Sequence, residues 1–61
     1  MGVTFQPKDK TYDVRNHNGA LMGFIKHNSN YWWFYPRTDW ESYSSYQLEE
    51  IVKFLNRLNK E

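Results

Sequence analysis

The stretch TYDVRNHNGALMGFIKHNSNYWWFYP, residues 11–36, decides the fold. Its opening, TYDVRN, alternates polar and apolar side chains, the period of a half-buried strand. Asn18-Gly19 follows, and Asn-Gly favours a type I′ hairpin turn because both central residues there need positive φ. ALMGFIKH, residues 20–27, is then the return strand. Asn28-Ser29-Asn30 marks a second turn. YWWFY, residues 31–35, is dense in β-forming aromatics. Pro36 ends it, since proline has no N–H to give to a ladder. Three strands joined by short turns make an antiparallel meander.

Downstream lies a well-marked helix start. Ser44 precedes Gln47 by three residues, the spacing of a capping box, and Tyr43 and Leu48 stand where a hydrophobic staple would form. Leu48, Ile51, Val52, Leu55 and Leu58 recur at helical spacing and form one apolar stripe. The helix is placed at residues 44–59. Upstream, Val3-Thr4-Phe5 offers a short extra strand, but Pro7 and Lys8-Asp9-Lys10 interrupt it. Residues 1–10 read as an arm or an irregular lead-in. The expectation is an α+β fold of order β-β-β-α, with the meander packed on one C-terminal α-helix.

The chain has 61 residues, enough for one domain only. At this size folding buries about 60% of the surface that the unfolded chain exposes. With no cysteine, neither a disulfide nor a cysteine-based zinc site is available. Aromatics make up 20% of the residues, more than one small core requires. The surplus points to an apolar surface patch, the mark of an interface. The formal net charge of +1 lacks the pronounced basic excess usual in nucleic-acid modules. No apolar run approaches the roughly 20 residues that span a bilayer, and the start of the chain has no signal-peptide core. A soluble cytoplasmic protein is expected.

One helix covers one face of a sheet, so the distribution of side chains between the faces leads to function. With Asn18-Gly19 as a two-residue turn, Val14 pairs with Gly23 and Tyr12 with Ile25. With Ser29-Asn30 as the second turn, Ile25 lies opposite Phe34 and His27 opposite Trp32. Strand side chains alternate between faces. Tyr12, Val14, Leu21, Gly23, Ile25, Trp32 and Phe34 then face the helix, with Gly23 leaving room for Trp32 or a helix side chain. Asp13, Arg15, Met22, Phe24, Lys26, Tyr31, Trp33 and Tyr35 face away. A three-residue turn through Asn28-Ser29-Asn30 preserves this parity, whereas an Asn28-Ser29 turn reverses it.

Arg15, Met22, Phe24, Lys26, Tyr31, Trp33 and Tyr35 are the candidate binding residues. Aromatics and arginine are enriched at interface hot spots, and the same mixture stacks bases and holds phosphates. Two other readings stand beside this one. The aromatics are cross-strand pairs that merely stabilise the sheet, or the N-terminal arm folds over them with Phe5 as a plug. Arg37 and Trp40, in the loop before the helix, are secondary candidates. His17 and His27 lie far apart along the chain with no ligand spacing, so no metal site is expected. Ser44 is explained as a helix cap. Glu49 and Glu50 are adjacent on the helix and point in different directions. The glycines form no phosphate loop. No catalytic residue, cofactor or small-molecule substrate is expected.

In architecture, three strands followed by a helix resemble double-stranded-RNA-binding and integrase-arm modules. The succession YDVRNHNGALMGFIKH, YWWFYP and LEEIVKFL resembles, in size and pattern, small accessory proteins of bacteriophages. Such a resemblance implies a protein that binds a host protein and inhibits or redirects it. The sequence thus favours a non-catalytic binding protein that docks an aromatic and basic sheet face on a protein partner, either a host protein or a second copy of itself. The alternative is a nucleic-acid-binding module using the same face.

Overall fold

A computed structural model describes residues 2–39 and 42–60. Four strands precede one helix: β1 (Thr4–Lys8), β2 (Thr11–Arg15), β3 (Leu21–Asn28), β4 (Tyr31–Pro36) and α1 (Ser45–Asn59). The strands form one antiparallel sheet in sequence order. The α+β class and the C-terminal helix match the expectation. The short extra N-terminal strand offered by Val3-Thr4-Phe5 is also present and runs longer: residues 4–8 form a full edge strand, pairing Thr4 with Arg15 and Lys8 with Thr11. Pro7 sits inside it, opposite Tyr12. An edge strand is where a sheet tolerates a missing donor.

The second hairpin has the expected register. Ile25 pairs with Phe34 and His27 with Trp32. Ser29 and Asn30 both take positive φ, at 56° and 66°, as a type I′ turn requires. The first hairpin departs from expectation. Its loop is His17-Asn18-Gly19, closed by a hydrogen bond from the Asn16 N–H to the Ala20 carbonyl (3.0 Å). The Gly19 N–H bonds back to the Asn16 carbonyl (2.9 Å), and Gly19 takes φ of +87°. The Asn16 side chain accepts from the Asn18 and Ala20 amides, fixing the turn. This is a three-residue loop with its left-handed glycine. The shift it introduces is cancelled by a bulge beside Val14 and Arg15, so Val14 still meets Gly23 and Tyr12 still meets Ile25.

The bulge changes which side chains face the helix. Arg15 pairs with Leu21, leaving Met22 as the extra residue. Leu21, expected inside, falls on the outer face with Arg15. Met22, expected outside among the binding residues, is fully buried and packs with Val14, Ile25 and Ile51 as the core. Gly23 makes room for β4 itself rather than for Trp32 or the helix, since a Cβ there would meet the Tyr35 carbonyl and the Phe34 ring.

Around this core the helix is turned further toward β1 than its stripe implies. Phe54 and Phe5 stack in parallel, with centroids 4.0 Å apart, and Tyr12 meets the edges of both Phe54 and Trp32. Phe5 is therefore a core residue on the helix side and not a plug over the outer face. Ile51, Phe54, Leu55 and Leu58 provide the buried stripe, while Leu48 and Val52 stand about half exposed. The capping box is complete: Ser44 accepts from the Gln47 amide and Gln47 accepts from the Ser44 amide. Tyr43 packs on Phe34 and donates its hydroxyl to the Met22 carbonyl. Burial raises the Tyr43 phenol above its ordinary value, so it remains a donor at neutral pH.

At its far end the helix is tied to the sheet edge. The Asn59 amide accepts from the Trp32 N–H (2.8 Å) and donates to the Trp32 carbonyl (3.2 Å). It acts as a one-residue strand along β4. Asn59→Ala leaves both part-buried groups without this partner, and each orphaned group costs about 1–3 kcal/mol. Urea denaturation should show a clear drop in midpoint, with a smaller drop for Asn59→Asp, which keeps only the acceptor. An unchanged midpoint for Asn59→Ala would mean that the clamp contributes nothing.

Candidate functional site

Directly paired residues share a face of a sheet, so the ladder registers assemble the outer face row by row. Gln6, Asp13, Phe24 and Tyr35 form one row. Lys8, Thr11, Lys26 and Trp33 form the next. Arg15 with Leu21 and Asn28 with Tyr31 complete the two ends. The single helix lies on the other side. Of the seven candidate residues, six share this outer face: Arg15, Phe24, Lys26, Tyr31, Trp33 and Tyr35. Met22 is the exception, removed into the core by the bulge. Arg37 stands beyond the end of β4, and Trp40 lies outside the described residues.

The face divides into a charged half on β1 and β2 and an aromatic half on β3 and β4. In the charged half, Asp13 is only 5% exposed. A buried carboxylate needs compensation, and Asp13 finds it in Lys8 (3.7 Å) and Arg15 (3.5 Å). Arg15 also donates to the Gly19 carbonyl at 2.9 Å, which ties the first hairpin loop back onto β2. Two of the basic side chains around the platform are therefore engaged within the molecule. Arg37 is engaged too. It forms a two-pronged pair with Asp39, whose hydrogen bonds hold the Asp39 carboxyl below the usual carboxylate range. Arg37 also donates to the Leu21 carbonyl through its guanidinium and to the Met22 carbonyl through its amide. Its structural task is to fasten the loop after β4 to β3.

The aromatic half is open. Trp33 is 48% exposed and Tyr35 39%, while Phe24 and Tyr31 are half-buried beside them. Trp33 is held in place: its indole N–H donates to the Asn28 carbonyl (3.0 Å), and Tyr31 meets its ring edge-on at 5.2 Å. The Lys26 ammonium lies over two rings, 5.5 Å from the centroid of Phe24 and 5.4 Å from that of Tyr35. A surface fixed before binding loses less side-chain freedom when a partner arrives.

A second apolar region lies exposed on the helix. Tyr46, Leu48 and Val52 project from the helix, and Val52 helps line a groove of about 190 Å³ between α1 and β4. Trp33 borders the same groove, so the apolar surface continues from the outer face around the β4 edge. Nothing in the helical period reveals this, because Leu48 and Val52 fit the buried stripe as well as Leu55 does. Another cavity, of about 360 Å³, is lined by Gly2, His17, Ser44, Tyr46 and Gln47. His27 is exposed and meets Trp32 edge-on at 5.1 Å. Among the described residues no group of three His, Cys, Asp or Glu side chains gathers to hold a metal, and no helix is long and apolar enough to cross a membrane. Comparison with protein-family models, curated proteins and solved structures found no match for this chain.

Proposed function

We propose that the chain is a small non-catalytic binding protein that docks its outer sheet face on a protein partner, as a regulator or inhibitor of a host protein. The observation that carries this reading is the contrast between the two halves of the face. Trp33 and Tyr35 stand open on a pre-set aromatic platform, whereas Lys8, Arg15 and Arg37 are already paired with Asp13 and Asp39. Buried aromatics supply most of the energy at protein interfaces. A nucleic-acid interface needs several cations ready for phosphates, and of the three basic residues on the strands of this face, Lys8 and Arg15 already share Asp13, leaving Lys26 without a described carboxylate. The resemblance to phage accessory proteins agrees with a host-directed role.

Salt dependence tests the reading. The immobilised chain is exposed to nuclease-treated lysate of the source cell, and the captured protein is then purified and its affinity measured. Affinity should change less than about tenfold between roughly 50 and 200 mM salt, because nucleic-acid binding through several phosphates loses about a thousandfold or more over that range. Capture that vanishes with nuclease, or a slope of phosphate size, would assign the face to nucleic acid instead.

A further inference from the structure

We infer that the partner places a carboxylate on Lys26, flanked by apolar side chains that lie on Trp33 and Tyr35. The inference rests on the docking role proposed for this face. Charge is its first support. The basic residues of the outer face are Lys8, Arg15 and Lys26, and Asp13 already holds the first two. No described carboxylate lies within ion-pair distance of Lys26. Its ammonium is drawn over the Phe24 and Tyr35 rings, and the residue stands opposite Trp33 in the β3–β4 ladder. A partner that covers Trp33 and Tyr35 therefore covers Lys26 as well. A buried charge without a counter-charge opposes association strongly, so the partner that fits is one that brings the anion.

The alternatives fit less well. A second copy would bring another excess of cations to the same face. Strand addition is blunted at both edges: Asn59 occupies the Trp32 amide and carbonyl, and Pro36 and Pro7 have no N–H. A phosphate backbone would meet a net excess of two positive charges, since Asp13 offsets only one of Lys8, Arg15 and Lys26, where it needs a longer row. What remains is an acidic and apolar protein segment lying across the face.

Titration of the isotope-labelled full chain, followed by NMR, tests this with three probes. They are the peptide acetyl-Glu-Leu-Trp-Glu-Leu-amide, its twin with both Glu replaced by Gln, and a single-stranded thymidine octamer. Both peptides should shift the Trp33 indole and the Phe24 and Tyr35 amide signals, the acidic one about fivefold more tightly, the scale of a surface charge pair. Lys26→Gln should abolish that preference while leaving the spectrum folded, and Lys26→Arg should keep it. Equal affinity for the twins would overturn the inference and leave the docking face standing. Failure of every probe to move these signals would overturn the docking face itself. Tighter binding of the octamer would assign the face to nucleic acid. Shifts that follow protein concentration alone would assign it to a second copy. Either of these last two results also sinks the inference.

Discussion

Gly23→Ala is expected to leave the chain largely unfolded at room temperature. A Cβ at this position would lie 2.5 Å from the Tyr35 carbonyl oxygen, 2.9 Å from Cε1 of Phe34 and 3.0 Å from the Pro36 Cα. Two of these three neighbours are backbone of β4, which cannot step aside as a flexible side chain would. Relief requires β3 and β4 to part at the Gly23–Pro36 pair, next to the bulge that already interrupts the β2–β3 ladder. Overpacking a core costs about 1–3 kcal/mol where side chains can adjust, and parting a strand pair adds to that. A domain of this size rarely holds more than about 3–5 kcal/mol of stability. The two quantities are comparable, so the folded population collapses. Amide dispersion by NMR and a urea titration would show it. A native-like spectrum with the parent midpoint would mean that β4 shifts freely, and the close approach would lose its importance.

Gly23 also shows how much of the fold was legible in the sequence. Its pairing with Val14 followed from alternation and a turn signal, and that register is right. Two departures cancel: Asn18-Gly19 reads as a two-residue turn, the loop has three residues, and the bulge restores the count. Bulges have no reliable sequence signature, because they arise from how a whole ladder accommodates its loops. The price is local and falls on Leu21 and Met22, whose faces are exchanged. The Ser29-Asn30 turn was legible because alternation on both sides converged on one register. The full length of the edge strand was hidden by Pro7, which argues against a central strand but is tolerated at an edge. Once β1 joins, Phe5 draws Phe54 onto it, and Leu48 and Val52 turn toward solvent. That rotation depends on a contact far apart in sequence, invisible to helical periodicity.

The aromatic half of the outer face was legible from alternation together with the Ser29-Asn30 turn, since YWWFY places its rings on opposite faces in turn and the turn sets which set faces out. The state of the charges was not. Arg15 looked available to a partner, yet a carboxylate two residues before it and a loop carbonyl four residues after it engage its guanidinium. Spacing alone does not tell whether a surface cation is already satisfied. The structure therefore narrows the candidate face to Phe24, Lys26, Tyr31, Trp33 and Tyr35.

Adjacent tryptophans with opposite fates give the most demanding check on that face. Trp32→Ala should destabilise the fold by about 2–4 kcal/mol, toward the lower part of the range for large aromatic truncations because the ring is only partly buried. It removes the edge contacts with Tyr12 and His27 and opens space beside the strand that Asn59 clamps. Trp33→Ala should cost only about 1 kcal/mol, the loss of one hydrogen bond to the Asn28 carbonyl and one ring contact with Tyr31. Binding should respond in the opposite order. With Trp33 absent, the platform loses its most exposed ring, and a hot-spot truncation of about 2 kcal/mol or more weakens the complex at least thirtyfold. Urea midpoints and partner affinity, measured on both variants, separate the two roles. If Trp33→Ala unfolds the chain, its ring belongs to the core and the outer face is structural. If it folds and binds as tightly as the parent, the partner docks elsewhere, and the exposed helix flank at Leu48 and Val52 becomes the surface to test.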